Sequence, residues 1–124
     1  MKNVSRSVER STIPWELRIR RASLAGYVEL AQARFAVDLA HKALACRAYD
    51  LVILDEINGA AWFGLVDVDE ILALIAEKHA NVELVLTGRS ADERVMAAAD
   101  LVTEMREVKH YFQQGIRARI GIEK

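Results

Sequence analysis

Two adjacent carboxylates, Asp55 and Glu56, follow the four apolar residues Leu51, Val52, Ile53 and Leu54 in the stretch YDLVILDEING. A short apolar run reads as a buried strand, and its carboxyl end is where open parallel sheets bind ligands. Acids at that position bind Mg²⁺, directly or through water, and the ion neutralises a nucleotide's phosphates. The same pair also reads as a helix cap or as ion-paired residues closing a strand. A nucleotide site of this kind is completed by a glycine-rich loop ending in Lys-Ser or Lys-Thr. None of the six glycines is followed by lysine, and no window fits G-x-x-x-x-G-K-[ST] or G-x-G-x-x-G.

A second cluster lies in LVLTGR, where Thr87, Gly88 and Arg89 end another apolar run. Gly88 lets a ligand approach the backbone, and Arg89 has the fork geometry for phosphate. The bland alternative is an ordinary strand-to-helix turn. A third cluster, VTEMREVKHYF, holds Glu104, Arg106, Lys109 and His110. His110 reads either as a donor to a substrate or as a surface residue with a structural hydrogen bond. Trp15, beside Ile13 and Pro14, reads either as a core anchor for the following helix or as a face that packs on a flat ligand. The three histidines are too scattered for a zinc motif, and Cys46 has no activating partner nearby in sequence.

The elements that must position these residues follow from periodicity. Leu24, Val28, Ala31, Phe35, Leu39 and Ala43 recur at helical steps, predicting a long amphipathic helix over 22–46. Strands are expected at 51–54, 82–86 and 101–105, with INGAAWFGLVD as a loop or short turn. Asp67 with Glu70, and Ser90 with Glu93, have capping-box spacing before two further helices. The tail QQGIRARIGIEK alternates weakly and reads as an edge strand or a surface wrap. Strands alternating with helices define an α/β chain with βαβ units and a mainly parallel sheet flanked by helices. Three strands are few for such a sheet, which reads as incomplete on its amino-terminal side.

Composition bounds the function. The 124 residues amount to one domain, with residues 1–12 of the basic start read as flexible. A net charge of −1 with 28% charged residues gives no global attraction to nucleic acid or membrane. One cysteine excludes an intrachain disulfide and fits a reducing, cytoplasmic setting. Met1 to Ser11 lacks the apolar core of a signal peptide, and no apolar run approaches the ~20 residues of a membrane span.

Taken in order, PWELRIR, YDLVILDEIN, GLVDVDEILALI, VELVLTGR, ADLVTEMREVKH and GIRARIGIE resemble the ATP:corrinoid adenosyltransferases of the bacterial cobalamin pathway. The resemblance implies a RecA-like P-loop α/β fold, usually dimeric. It implies transfer of the 5′-deoxyadenosyl group of ATP to Co(I) of a reduced corrinoid, with Mg²⁺ on the nucleotide. Carried onto this chain, Asp55 and Glu56 match the Walker-B acids that hold Mg²⁺. Asn58, Thr87 and Arg89 match positions on the ATP side. Trp15 and Ile13, with Lys109 and His110, match the corrinoid side.

Two positions depart from the family pattern: Ile13 stands where phenylalanine is common, and Tyr111 where proline follows Lys-His. The chain is expected to be the carboxyl-terminal portion of that fold without its phosphate loop. It would then work as a homodimer or by pairing with another chain, and would be impaired alone. The alternatives are a non-catalytic corrinoid- or nucleotide-binding relative, and an interaction subunit completed by another chain.

Overall fold

The structure is a computed structural model that describes residues 24–124; Ile13 and Trp15 lie outside the described residues. Its first element is helix α1, Leu24–Ala45. Leu30, Val37, Ala40 and Leu44 recur at helical spacing and are buried together, and Lys42 sits in the last turn, where the helix dipole favours a cation.

Strand β1, Leu51–Leu54, pairs in parallel with β2, Glu83–Leu86, in the register Leu51 to Glu83 and Leu54 to Leu86. The crossover between them carries α2, Ile57–Trp62, and α3, Val68–Glu77. After β2 come α4, Glu93–Ala98, and a 3₁₀ turn, Tyr111–Gln114. The described residues thus form an α/β arrangement with a two-stranded parallel sheet.

One face of that sheet is covered. Val52, Leu54, Leu84 and Leu86 turn toward a core built with Val37, Ala40 and Leu44 of α1 and with Ile71 and Leu74 of α3. Ile71 and Leu74 are wholly shielded from solvent, each contributing about 1.5–3 kcal/mol by burial. The opposite face, with Leu51, Ile53 and Val85, is exposed. The unbroken apolar run of β1 is therefore buried on alternate residues, because strand side chains alternate between faces and helices cover only one of them.

Two polar rungs fix α3 against α1. Arg34 bonds Glu70, and His41 Nδ1 lies 3.0 Å from Glu77 Oε2. Both rungs step by seven residues in each helix in the same sense, so the two helices run parallel.

Several expectations are corrected. Residues 101–105 form no strand: Leu101 and Met105 are exposed, and among the described residues no strand pairs with them. Their strand-like composition expresses itself only against a partner edge. The tail adds no edge strand either. It folds back on itself, with Tyr111 and Arg119 both bonded to Glu123. INGAAW is helix rather than loop, in keeping with its two adjacent alanines.

The Asp67–Glu70 capping box is present, with the Asp67 amide donating to Glu70 Oε2 at 3.2 Å. The Ser90–Glu93 box is not. Ser90 sits at φ 58, whereas a cap residue needs extended backbone. The cap of α4 is the buried Asp92, whose Oδ1 accepts from the Arg94 amide at 2.8 Å.

Candidate functional site

The parallel pairing places the carboxyl ends of β1 and β2 side by side, and the predicted acids meet the predicted threonine there. The Thr87 hydroxyl donates to Asp55 Oδ1 at 2.6 Å and accepts from the Glu56 amide at 2.9 Å. One side chain at the end of β2 thus orients both residues of the acid pair. The Thr87 amide extends the sheet by donating to Leu54 O at 3.2 Å, and Thr87 O accepts from the Asn58 amide at 3.2 Å. These bonds fix the turn between β1 and α2 to the end of β2.

Close packing makes the turn specific. Gly88 has φ +122, and a Cβ there would lie 2.9 Å from Gly59 N and 3.2 Å from Asn58 Cβ. No other residue fits both the conformation and the space. A Cβ on Gly59 would meet Glu56 Oε2 at 3.0 Å, so the Glu56 carboxylate lies over Gly59. Glu56 itself adopts the left-handed conformation at φ 58, ψ 18, which costs a residue with a Cβ about 1–2 kcal/mol. Strain of that kind collects where a side chain must be aimed rather than where stability is served.

Asp55 and Glu56 are exposed, Thr87 is half-buried, and Asn58 is 7% exposed. The Asn58 Oδ1 has no hydrogen-bond partner among the described residues, a buried acceptor of the kind that ordinarily finds a donor. Arg89 is exposed and has no ion pair among the described residues, leaving its guanidinium available to an anion.

The donor set suits Mg²⁺ better than a protein-caged metal. Among the described residues no three His, Cys, Asp or Glu side chains gather around one point. Mg²⁺ keeps several waters and binds through one or two carboxylates plus substrate phosphates, which two exposed adjacent acids can provide.

Not every predicted residue joins this site. Lys109 and His110 belong to a carboxyl-terminal arm, residues 101–124, whose hydrogen bonds and ion pairs stay within the arm among the described residues. There His110 Nδ1 accepts from the Phe112 amide at 3.0 Å and caps the 3₁₀ turn, which is its structural reading. Sequence reasoning missed Gly59, whose signal is a small residue three positions after the acid pair. It also missed the Asp92 cap and the pairing of Arg94 with Asp69 at 2.8 Å.

An acid pair at the end of a parallel strand, steadied by a hydroxyl from the next strand, defines an α/β protein with a polar ligand site at the carboxyl ends of its sheet. Residues 22–123 match the family described as ATP:corrinoid adenosyltransferase BtuR/CobO/CobP, and the chain belongs to that family. It is 38% identical over 122 residues to a corrinoid adenosyltransferase of Pseudomonas aeruginosa, covering 98% of this chain and 57% of that protein. It is 38% identical over 96 residues to one of a Sinorhizobium species, covering 77% and 45% respectively. To the Escherichia coli protein of the same name it is 32% identical over 84 residues, covering 68% and 43%. The chain spans about half the length of the curated relatives it matches. No helix among the described residues is long and apolar enough to cross a membrane.

Proposed function

We propose that this chain carries the Mg²⁺ side of an ATP:corrinoid adenosyltransferase site on a RecA-like P-loop fold. The observation that supports it best is the Thr87 hydroxyl joining Asp55 and the Glu56 amide across the two strand ends. In this reading Asp55 and Glu56 hold Mg²⁺, which offsets charge on the departing triphosphate. Arg89 pairs with a phosphate oxygen, and Asn58 Oδ1 accepts from a donor on the nucleotide.

The reaction needs no enzymic nucleophile. Co(I) of the reduced corrinoid attacks the ribose 5′ carbon, a Co–C bond forms, and triphosphate leaves with the electron pair of the broken C–O bond. The protein's task is to place the two substrates and stabilise the leaving group. Trp15 and Ile13, with Lys109 and His110, serve the corrinoid side. The 124 residues contain no phosphate loop, whose backbone amides and lysine hold the triphosphate. By themselves these 124 residues therefore transfer little adenosyl group; we place the protein in the cytoplasm, as a homodimer or paired with another chain.

Calorimetry with each substrate, alongside an adenosyl-transfer assay with ATP and reduced corrinoid, tests this reading. Expected are weak corrinoid binding reduced by Trp15→Ala, negligible Mg²⁺-ATP binding, and turnover about 10³-fold or more below that of a full-length relative. Tight ATP binding with no corrinoid signal would reverse the assignment.

A further inference from the structure

The short helix α2 runs from the acid pair to an aromatic wall. Trp62, its last residue, is 51% exposed and lines a groove together with Ser90–Arg94. Gly88 packs against Asn58 and Gly59 at the start of α2, so the segment 88–94 follows the helix from its first turn to its last. The six residues of α2, at about 1.5 Å of rise each, set Trp62 about 9 Å from Glu56.

The chemistry of the groove selects the part of a ligand that fits it. Arg94, the one cation on its walls among the described residues, is committed to Asp69 at 2.8 Å and to Asp92 at 3.5 Å. The groove therefore offers nothing to a phosphate. Its open groups are the Trp62 ring, the Ser90 hydroxyl and the Glu93 carboxylate, none of which is bonded among the described residues. A flat ring with hydrogen-bonding edges suits such a lining, and stacking on an aromatic face is how proteins commonly hold a base. One indole covers a base but only a fraction of a corrin ring.

Between the two ends lies Asn58, 7% exposed, whose Oδ1 has no partner among the described residues. It stands four residues before Trp62 and so shares that residue's side of α2. Between its phosphates and its base, a nucleotide carries hydrogen-bond donors only on the ribose hydroxyls. Acids, buried acceptor and aromatic face thus follow one another along α2 in the order phosphate, ribose, base. We propose that the Trp62 groove holds the nucleobase of the nucleotide, with a ribose hydroxyl donating to Asn58 Oδ1. The placement rests on the nucleotide reading of the acid pair.

NMR titration of the 124-residue chain with adenosine, which carries base and ribose but no phosphate, tests it without Mg²⁺. Expected are saturable shifts of the Trp62 indole N–H and the Ser90–Arg94 amides, with a dissociation constant of about 1 mM or below. Trp62→Leu, at an exposed position, is expected to weaken binding about fivefold or more, whereas Trp62→Phe keeps a stacking face and most of the affinity. Loss of the ribose hydroxyls in 2′,3′-dideoxyadenosine is expected to weaken it about threefold or more. An affinity indifferent to Trp62→Leu, equal binding of the two nucleosides, or a groove that responds to cobinamide and not to adenosine would overturn the proposal. Adenosine needs no metal, so Mn²⁺ binding at Asp55 without these shifts would overturn the base subsite alone and leave the acid pair's reading intact.

Discussion

The hydroxyl of Thr87, at the end of β2, donates to Asp55 Oδ1, at the end of β1, across 2.6 Å. The bond joins residues 32 apart in sequence and exists because the parallel register brings Leu54 beside Leu86. It commits one carboxylate oxygen of Asp55 and leaves the other free to face a ligand.

Thr87→Val keeps the shape of the side chain and removes that bond. A group that hydrogen-bonds a metal-binding carboxylate is typically worth about 10–100-fold in metal affinity. Mn²⁺ titration followed by electron paramagnetic resonance is expected to show a loss of that size, with Thr87→Ser restoring affinity. Stability should change by about 1 kcal/mol or less, because the hydroxyl is partly solvated.

Glu56→Gly separates stability from binding. Glycine relieves the left-handed strain at this position, worth about 1–2 kcal/mol, against about 0.5–1 kcal/mol of added chain entropy. The urea midpoint is expected to stay unchanged or rise slightly while Mn²⁺ affinity falls. A fall in both would mean that Glu56 serves the fold.

Leu74→Ala tests the core beneath the site. The side chain is fully buried between α3 and its neighbours, and such truncations cost about 2–5 kcal/mol. Against a typical total of about 5–15 kcal/mol, urea unfolding should shift markedly or begin without denaturant.

The carboxyl-terminal arm should respond to acid on its own. Arg119, then Tyr111, hold the Glu123 carboxyl at about 2, below its ordinary 4.5. The folded-state value is depressed, so the stabilisation is fully present above about 4.5 and is lost as pH falls from there toward 2. Ring signals of Tyr111 in NMR should report that transition, and Glu123→Gln should abolish it. A midpoint near 4.5 would show that the cluster does not form in solution.

Much of the site was readable because it depends on local signals. Apolar runs marked β1 and β2, and the acids and Thr87 lie immediately after those runs. The long helix and the Asp67 cap declared themselves through spacing within one or two turns. What escaped depends on a partner edge or on local backbone conformation, neither of which residue spacing shows. Leu101 to Met105 has the composition of a strand and no edge to pair with among the described residues. Ser90 has the right neighbour at Glu93 and the wrong backbone, since Asp92 takes the cap. His110 caps the 3₁₀ turn of the arm through its Nδ1, a role that its place after Lys109 in the sequence does not show.

In the proposed function, the carboxyl ends of β1 and β2 form the Mg²⁺ side of a nucleotide site. Paramagnetic broadening of backbone amide signals by Mn²⁺ tests it most directly. Broadening is expected to be confined to Asp55–Asn58 and Thr87–Arg89 and to be abolished by Asp55→Asn. Broadening centred on Asp67–Glu70, or a pattern unchanged by Asp55→Asn, would contradict it.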